Sequence, residues 1–312
     1  MKKLSIKLSH RKNLFILILL GSYVTHGYTH EIALTFDDLP GAPDSSVKKQ
    51  KPMNQRIIKN LLEFNAPAIG FVNEGKLYTD DEYDAKVQLL TLWIEYGFDL
   101  GNHTYSHSAL SQLDEHAFQK EVKDGELVSK QLMMNVGKTY HYFRHPYLDT
   151  GETVAIRTQA EYFLNGEGYQ IAPVTIDTDD WLFNQYLLSH PEEKDKIIKD
   201  YLEHTKAKFM FYEQVSYQLF GRNIKHIWLL HVNLINSYVL KELIQCAKEL
   251  DYHFISLDEA LSDAAYQSND NYYSHYGVSW LYRWDYSGAR VVDWSKEPEP
   301  KLVETTRLKN RK

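Results

Sequence analysis

His103 and His107 stand four residues apart in the run NHTYSH. On one helical turn both imidazoles would face the same side, where they can share a metal ion. A carboxylate from another part of the chain would complete a three-ligand set that leaves positions for water and substrate, the pattern of a catalytic rather than a closed structural site. Water attack on an amide or ester carbonyl also needs a base for the water proton and an acid for the leaving group. Asp37, one of an adjacent acidic pair with Asp38, and His231 are the natural couple for that traffic. Arg144 can hold a carboxylate in its charged form through a bidentate contact. Asp180, within DTDDW (Asp177–Trp181), can orient an imidazole and raise its pKa. Taken singly, each feature has a bland reading: acidic pairs are mostly solvated, and Arg–Asp and Asp–His pairs are mostly structural bridges.

Placement gives these residues their weight. Apolar runs predict strands at Ile32–Phe36, Ala68–Val72, Phe98–Gly101, His141–Arg144, Gln170–Ile176, His226–Leu230 and Phe254–Ser256. Helical spacing separates them. Leu240, Leu243, Ile244, Ala247 and Leu250 form one stripe, and Phe118, Val122, Gly125, Val128 and Leu132 form another behind Asp114, an N-cap candidate. Gly97 stops the Val87–Leu90–Ile94 stripe. Seven strands with intervening helices imply parallel pairing, hence an α/β barrel or doubly wound sheet in a single domain. In such folds functional groups gather at the C-terminal ends of strands. Asp37 and Asp38 follow the first strand, His103 and His107 the third, Arg144 ends the fourth, DTDDW follows the fifth, and His231 the sixth.

The 312 residues are 43% hydrophobic and 25% charged, an ordinary globular balance. A formal charge of −7 with no basic stripe argues against nucleic acid as a partner. Lys2, Lys3, Lys7, Arg11 and Lys12 precede the apolar run Leu14–Leu20, with Thr25 and Gly27 suited to cleavage before Tyr28. That run is short of the roughly 20 residues that cross a bilayer, so residues 1–27 read as a signal peptide rather than a stable membrane anchor. The chain is expected to be exported, periplasmic or secreted. Cys246, the single cysteine, excludes an internal disulfide and reads as a buried inert thiol on the Leu243–Ala247 stripe.

TFDD (Thr35–Asp38), HTYSH (His103–His107), RHPY (Arg144–Tyr147), DTDDW (Asp177–Trp181) and LLH (Leu229–His231) together resemble the five ordered motifs of the polysaccharide deacetylase, or NodB-homology, family of carbohydrate esterases. The resemblance spans about residues 30–260. It implies a distorted (β/α)7 barrel over residues 28–265, followed by an aromatic extension and charged tail at 266–312. It further implies Asp38, His103 and His107 as ligands of one divalent metal, Zn2+ being the usual ion, with Asp37 as general base and Arg144 tuning it. Tyr147 would supply a backbone N–H to the oxyanion. Asp180 would tune His231 as general acid, while Trp181 and Leu229 would line an acetyl-methyl pocket. The implied substrate is an N-acetylated glycan. O-acetyl esters and non-sugar amides are the near alternatives, and a glycan-binding protein without turnover is the alternative of another class.

Two positions depart from the family pattern. Leu39-Pro40 stands where Gly-Pro is usual, and Leu148 stands where glycine usually follows the aromatic of the third motif. Both add bulk beside the site. The segments Phe71–Leu77 and His231–Asn236 resemble a bacterial branch of the family. The aromatic stretch Tyr272–Tyr286 lies outside the motifs and reads as a cover over the barrel, with stacking on a sugar ring as its alternative.

Overall fold

The computed structural model describes residues 30–43, 46–288 and 290–301, so the expected signal peptide lies outside the described residues. Eight short strands form: β1 (His30–Leu39), β2 (Ala68–Val72), β3 (Asp99–Asn102), β4 (Tyr142–Phe143), β5 (Gln170–Ile171), β6 (Ile176–Asp177), β7 (Lys225–His231) and β8 (Tyr252–Ile255). They pair in parallel in the order β5-β4-β3-β2-β1-β7-β6, with β8 on the first half of β1. The sheet curls into a half-barrel wrapped by helices, as the sequence implies.

Central β1 is buried on both faces, Ile32, Ala33, Leu34 and Phe36 being covered together, which is why it reads as an unbroken apolar run rather than an alternation. Burying a side chain such as Phe36 contributes about 1.5–3 kcal/mol. Its register aligns Leu34 with Ala68 of β2 and Asp37 with His231 of β7. Two strand ends carrying acid and imidazole are thereby neighbours.

The expected fifth strand is two. Gln170 and Ala172 donate to β4-side carbonyls of His141 (2.7 Å) and Phe143 (2.8 Å), whereas Thr175 donates to Ile227 of β7 (3.0 Å). The run changes partner at Pro173, which has no N–H to give to a ladder. This switch leaves a seam between β5 and β6. The C-terminal segment fills it: Trp280 N–H donates to Val174 O (2.7 Å) and Ser279 Oγ to Thr175 O (2.8 Å).

The helix Leu234–Glu249 buries Leu240, Leu243, Ile244 and Ala247 as its spacing predicts, and Asn233 caps it. Cys246 on that helix is half-buried rather than fully covered, and burial pushes its thiol up. The Phe118–Leu132 stripe is broken into two helices, Glu115–Asp124 and Leu127–Asn135, at Gly125. Asp114 does cap the first, its carboxylate accepting from Ala117 N–H at 2.8 Å. In the aromatic stretch Trp280 and Trp284 are buried and Tyr276 is exposed. Among the described residues no helix is long and apolar enough to cross a membrane.

Candidate active site

Asp37 and Asp38 end β1, and Asp38 sits in the left-handed region at φ 73°. His103 follows β3, and its Nδ1–H donates to the Arg144 carbonyl at 2.8 Å. That bond fixes the tautomer and turns Nε2 toward the carboxylates. His107 is not on a helix with His103, contrary to the spacing argument. Thr104 (φ 66°) and His107 (φ 63°) turn the chain through left-handed positions instead. Thr104 N–H donates to Asn102 Oδ1 (2.8 Å) and His107 N–H to Thr104 Oγ1 (3.1 Å), so local side chains take the bonds a helix would have used. The loop still brings the rings to a centroid distance of 4.9 Å.

The ligand atoms of Asp38, His103 and His107 all lie within 4.8 Å of one another. His107 Nε2 is 3.7 Å from Asp38 Oδ1, close to the roughly 3.4 Å between two tetrahedral ligands at 2.1 Å from an ion. Burial pulls His103 down to about 3, and burial together with the neighbouring His103 pulls His107 down to about 4. Both imidazoles are therefore neutral at ordinary pH, as ligands must be. Burial would raise Asp38, but neighbouring positive charge, the Lys76 ammonium foremost, overcomes it and holds the carboxylate well below its usual range. The donor set fits a divalent cation.

Asp37 lies beside this triad, its Oδ2 3.6 Å from His103 Nε2. Burial raises its pKa and Arg144 opposes the rise. The expected fork from Arg144 is absent: one nitrogen, Nη1, faces both Asp37 oxygens at 3.4 and 3.5 Å. Nη2 is taken by Thr35 Oγ1 at 3.0 Å, and the guanidinium lies over the Phe71 ring at 4.7 Å. Arg144 is thus wedged across the barrel interior, too constrained to present a bidentate face.

Across the site, His231 ends β7 and its Nδ1–H donates to Asp180 Oδ1 at 2.7 Å. Asp180 is fully buried, and its Oδ2 accepts from His231 N–H (2.9 Å), Asn233 Nδ2 (2.9 Å) and Asn236 Nδ2. Burial disfavours the imidazolium, but Asp180 outweighs it and His231 is pushed up to about 10. Leu229, two residues below on β7, is buried and pairs with Asp177 and Thr35. Trp181, in the first turn of the helix Asp180–Ser189, is half-exposed, and exposed Tyr147 sets its ring edge to His107 at 4.5 Å.

Two contributors escaped the sequence reading. Lys76, from the Glu74–Tyr78 turn, donates from Nζ to Asp38 Oδ1 at 2.8 Å. Its segment stands out in the sequence, yet a loop lysine carries no mark that separates it from a solvated one. Gly125 is the second. A Cβ there would lie 2.6 Å from Thr104 C and 2.8 Å from Tyr105 N, so the glycine lets the histidine loop rest on the helix. A separate cavity of 440 Å³, lined by Ala68, Asp99, Tyr142 and Asp258, opens at the N-terminal edge of the strands and holds none of these groups.

Carboxylates, imidazoles and a buried arginine thus converge on the C-terminal edge of a curled parallel half-barrel, where three of the side chains could hold one cation. Residues 27–163, a little under half of the chain, match the polysaccharide deacetylase family profile, the family that the motifs resemble. A chitin deacetylase from Pestalotiopsis sp is 30% identical over 149 residues, which is 48% of this chain and 43% of that one. The chain therefore spans less than half the length of this curated relative. Among solved structures, a CE4 family pseudoenzyme from Bacillus anthracis superposes with TM-score 0.54 at 15% identity, over 76% of this chain and 67% of that one. A polysaccharide deacetylase from Bacillus cereus gives 0.53 at 17%, over 73% and 91%. At such identities the likeness is one of fold. Because a pseudoenzyme shares that fold, turnover has to be argued from the side chains.

Proposed function

We propose that the protein is an exported, metal-dependent hydrolase that removes acetyl groups from an N-acetylated glycan. The observation that carries this reading is the convergence of Asp38, His103 and His107 within 4.8 Å, with Asp37 beside them. Those three side chains would hold one divalent ion, Zn2+ being favoured by the mixed imidazole–carboxylate set. When bound, the ion supplies Lewis-acid activation of water and of the acyl carbonyl.

The chain's own groups do the rest. Asp37 accepts the proton of the attacking water. Its burial favours taking a proton, and Arg144 opposes that rise. The Tyr147 N–H supports the charge that develops on the acyl oxygen. His231, held as imidazolium by Asp180, gives its proton to the departing sugar nitrogen. Trp181 and Leu229 line the space for the acetyl methyl, which limits the acyl group to a short one. The signal segment 1–27 would deliver the enzyme to a compartment where glycan polymers are found.

Metal analysis coupled to acetate release, before and after chelation, tests the proposal on a panel of N- and O-acetylated glycans. Full activity in metal-stripped protein would sink it. Acetate release from O-acetylated substrates alone would move the assignment to an esterase.

A further inference from the structure

A segment outside the five motifs reaches the site. Residues 270–288 run over the seam between β5 and β6, tied to it by Ser279 and Trp280. Two residues before Ser279, Gly277 N–H donates to the Tyr147 carbonyl at 2.9 Å. Tyr147 and Leu148 hold φ 56° and 53°. Residues with a Cβ adopt that region rarely and with strain, whereas glycine reaches it freely. Leu148 stands where the family pattern has glycine, so besides the turn's own bonds, Leu148 N–H to His145 O and Asp149 N–H to Pro146 O at 3.1 Å, a contact outside the motif has to help hold the turn.

Contact with the strap does so. A Cβ on Gly277 would lie 2.0 Å from Leu148 Cβ and 2.3 Å from its carbonyl oxygen. The neighbours are backbone or Cβ atoms, not the movable tip of a side chain, so the two backbones are laid directly on each other. The strap is anchored behind this point. Buried Arg283 pairs with Asp270 at 2.6 Å and donates to Thr150 Oγ1, two residues beyond Leu148. Arg157 donates to the same Thr150 hydroxyl and to the Asp270 carbonyl, both at 2.9 Å. Two arginines therefore rivet the strap to the segment that carries Tyr147.

We propose that Gly277 is a positioning residue: its bare backbone clamps the turn at Tyr147 and Leu148 in the left-handed form and thereby holds the preceding Tyr147 N–H toward the acyl oxygen. This rests on the deacetylase reading of the site.

The test uses the full chain as wild type, Gly277→Ala, Leu148→Gly and the double variant. Each is assayed for kcat and KM on an N-acetylglucosamine oligomer, for metal content, and for hydrogen–deuterium exchange over residues 145–150. In Gly277→Ala kcat falls on the order of 100-fold, the effect of a misplacement of about 1 Å. KM and metal content stay near wild type, and exchange at 147–150 quickens. Leu148→Gly in the same chain restores both, because a glycine takes the left-handed turn without the strap, which the added methyl still pushes off the backbone carbonyl of residue 148. Wild-type kcat in Gly277→Ala, or a loss that Leu148→Gly does not relieve, overturns the proposal. Should Gly277→Ala fail to fold, the double variant decides: folded and active it upholds the clamp, folded and inactive it refutes it. If the wild type releases no acetate, the deacetylase reading has failed, while the exchange comparison still judges the clamp.

Discussion

Asp180→Asn is the sharpest single perturbation of the proton chemistry. The carboxylate accepts the Nδ1–H of His231 on one oxygen, while its other oxygen faces His231 N–H, Asn233 and Asn236. An amide of the same shape keeps its oxygen toward those three donors, which turns its NH2 toward His231 Nδ1. The imidazole then has to accept there and loses its counter-ion at once. Removing Asp180 returns His231 from about 10 toward its ordinary 6.5 or below. That fall corresponds to about 5 kcal/mol of preference for the imidazolium. At pH 8.5 the protonated fraction drops from nearly all to about one in a hundred, so kcat falls about 100-fold, and the two proteins approach each other near pH 5.5. The assay is a kcat–pH profile of acetate release, whose alkaline limb moves from about pH 10 to about 6.5. Stability follows the same sign. A folded-state value raised from 6.5 to about 10 stabilises fully below 6.5 and is lost as pH rises through 10, so the variant's deficit in urea melts narrows over that window. An unmoved alkaline limb would refute the assignment of His231 as acid.

Asp37→Asn is expected to lower kcat by at least 100-fold while keeping stoichiometric metal, and His103→Ala to lose both, as read by metal analysis alongside acetate release. Lys76→Met removes a cation 2.8 Å from an oxygen of Asp38, a carboxylate that would hold the ion, so metal Kd from competition with zinc buffers should tighten about tenfold. A weaker Kd would mean that the lysine instead preorganises Asp38. Gly125→Ala drives a methyl into the backbone between His103 and His107 and should destabilise by about 1–3 kcal/mol in urea melts, with weaker metal binding. An unchanged midpoint would show that the histidine loop has room to move.

The site is legible because polar groups stand immediately after apolar runs, as Asp37 does after Ile32–Phe36 and His231 after His226–Leu230. Strand β2 falls where expected, at Ala68–Val72. Spacing alone misreads His103 and His107, since four residues apart means one helical face only if the intervening backbone is helical, and Asn102 and Thr104 divert it. Pro173 is a visible signal for the split of the fifth strand, because it interrupts the run Gln170–Ile176. The longest helix among the described residues, Lys194–Phe220, is hidden for another reason. Its buried face includes His204, Lys208 and Tyr212, which pair with Asp179 and Glu297, so no apolar stripe advertises it. Such pairings between distant residues are invisible to a local pattern.

The two departures from the family pattern are one phenomenon with two degrees of rigidity. Leu39 and Leu148 each add a side chain where glycine is usual, and each meets a glycine on a neighbouring segment. The Leu39 methyls lie 2.6 and 2.8 Å from where a Cβ of Gly70 would stand. Leu148 meets Gly277. Volume moves from one chain segment to another and the packing is kept, which cores tolerate better than a net gain. Gly70 weakens β2 in the abstract, yet here it is the space Leu39 occupies beside the end of β1. The pairs differ in what would have to yield. At Gly70 it is the rotatable end of a leucine, and at Gly277 it is backbone. The strap is therefore the stricter partner, and the turn that bears Tyr147 depends on residues more than a hundred positions further along the chain.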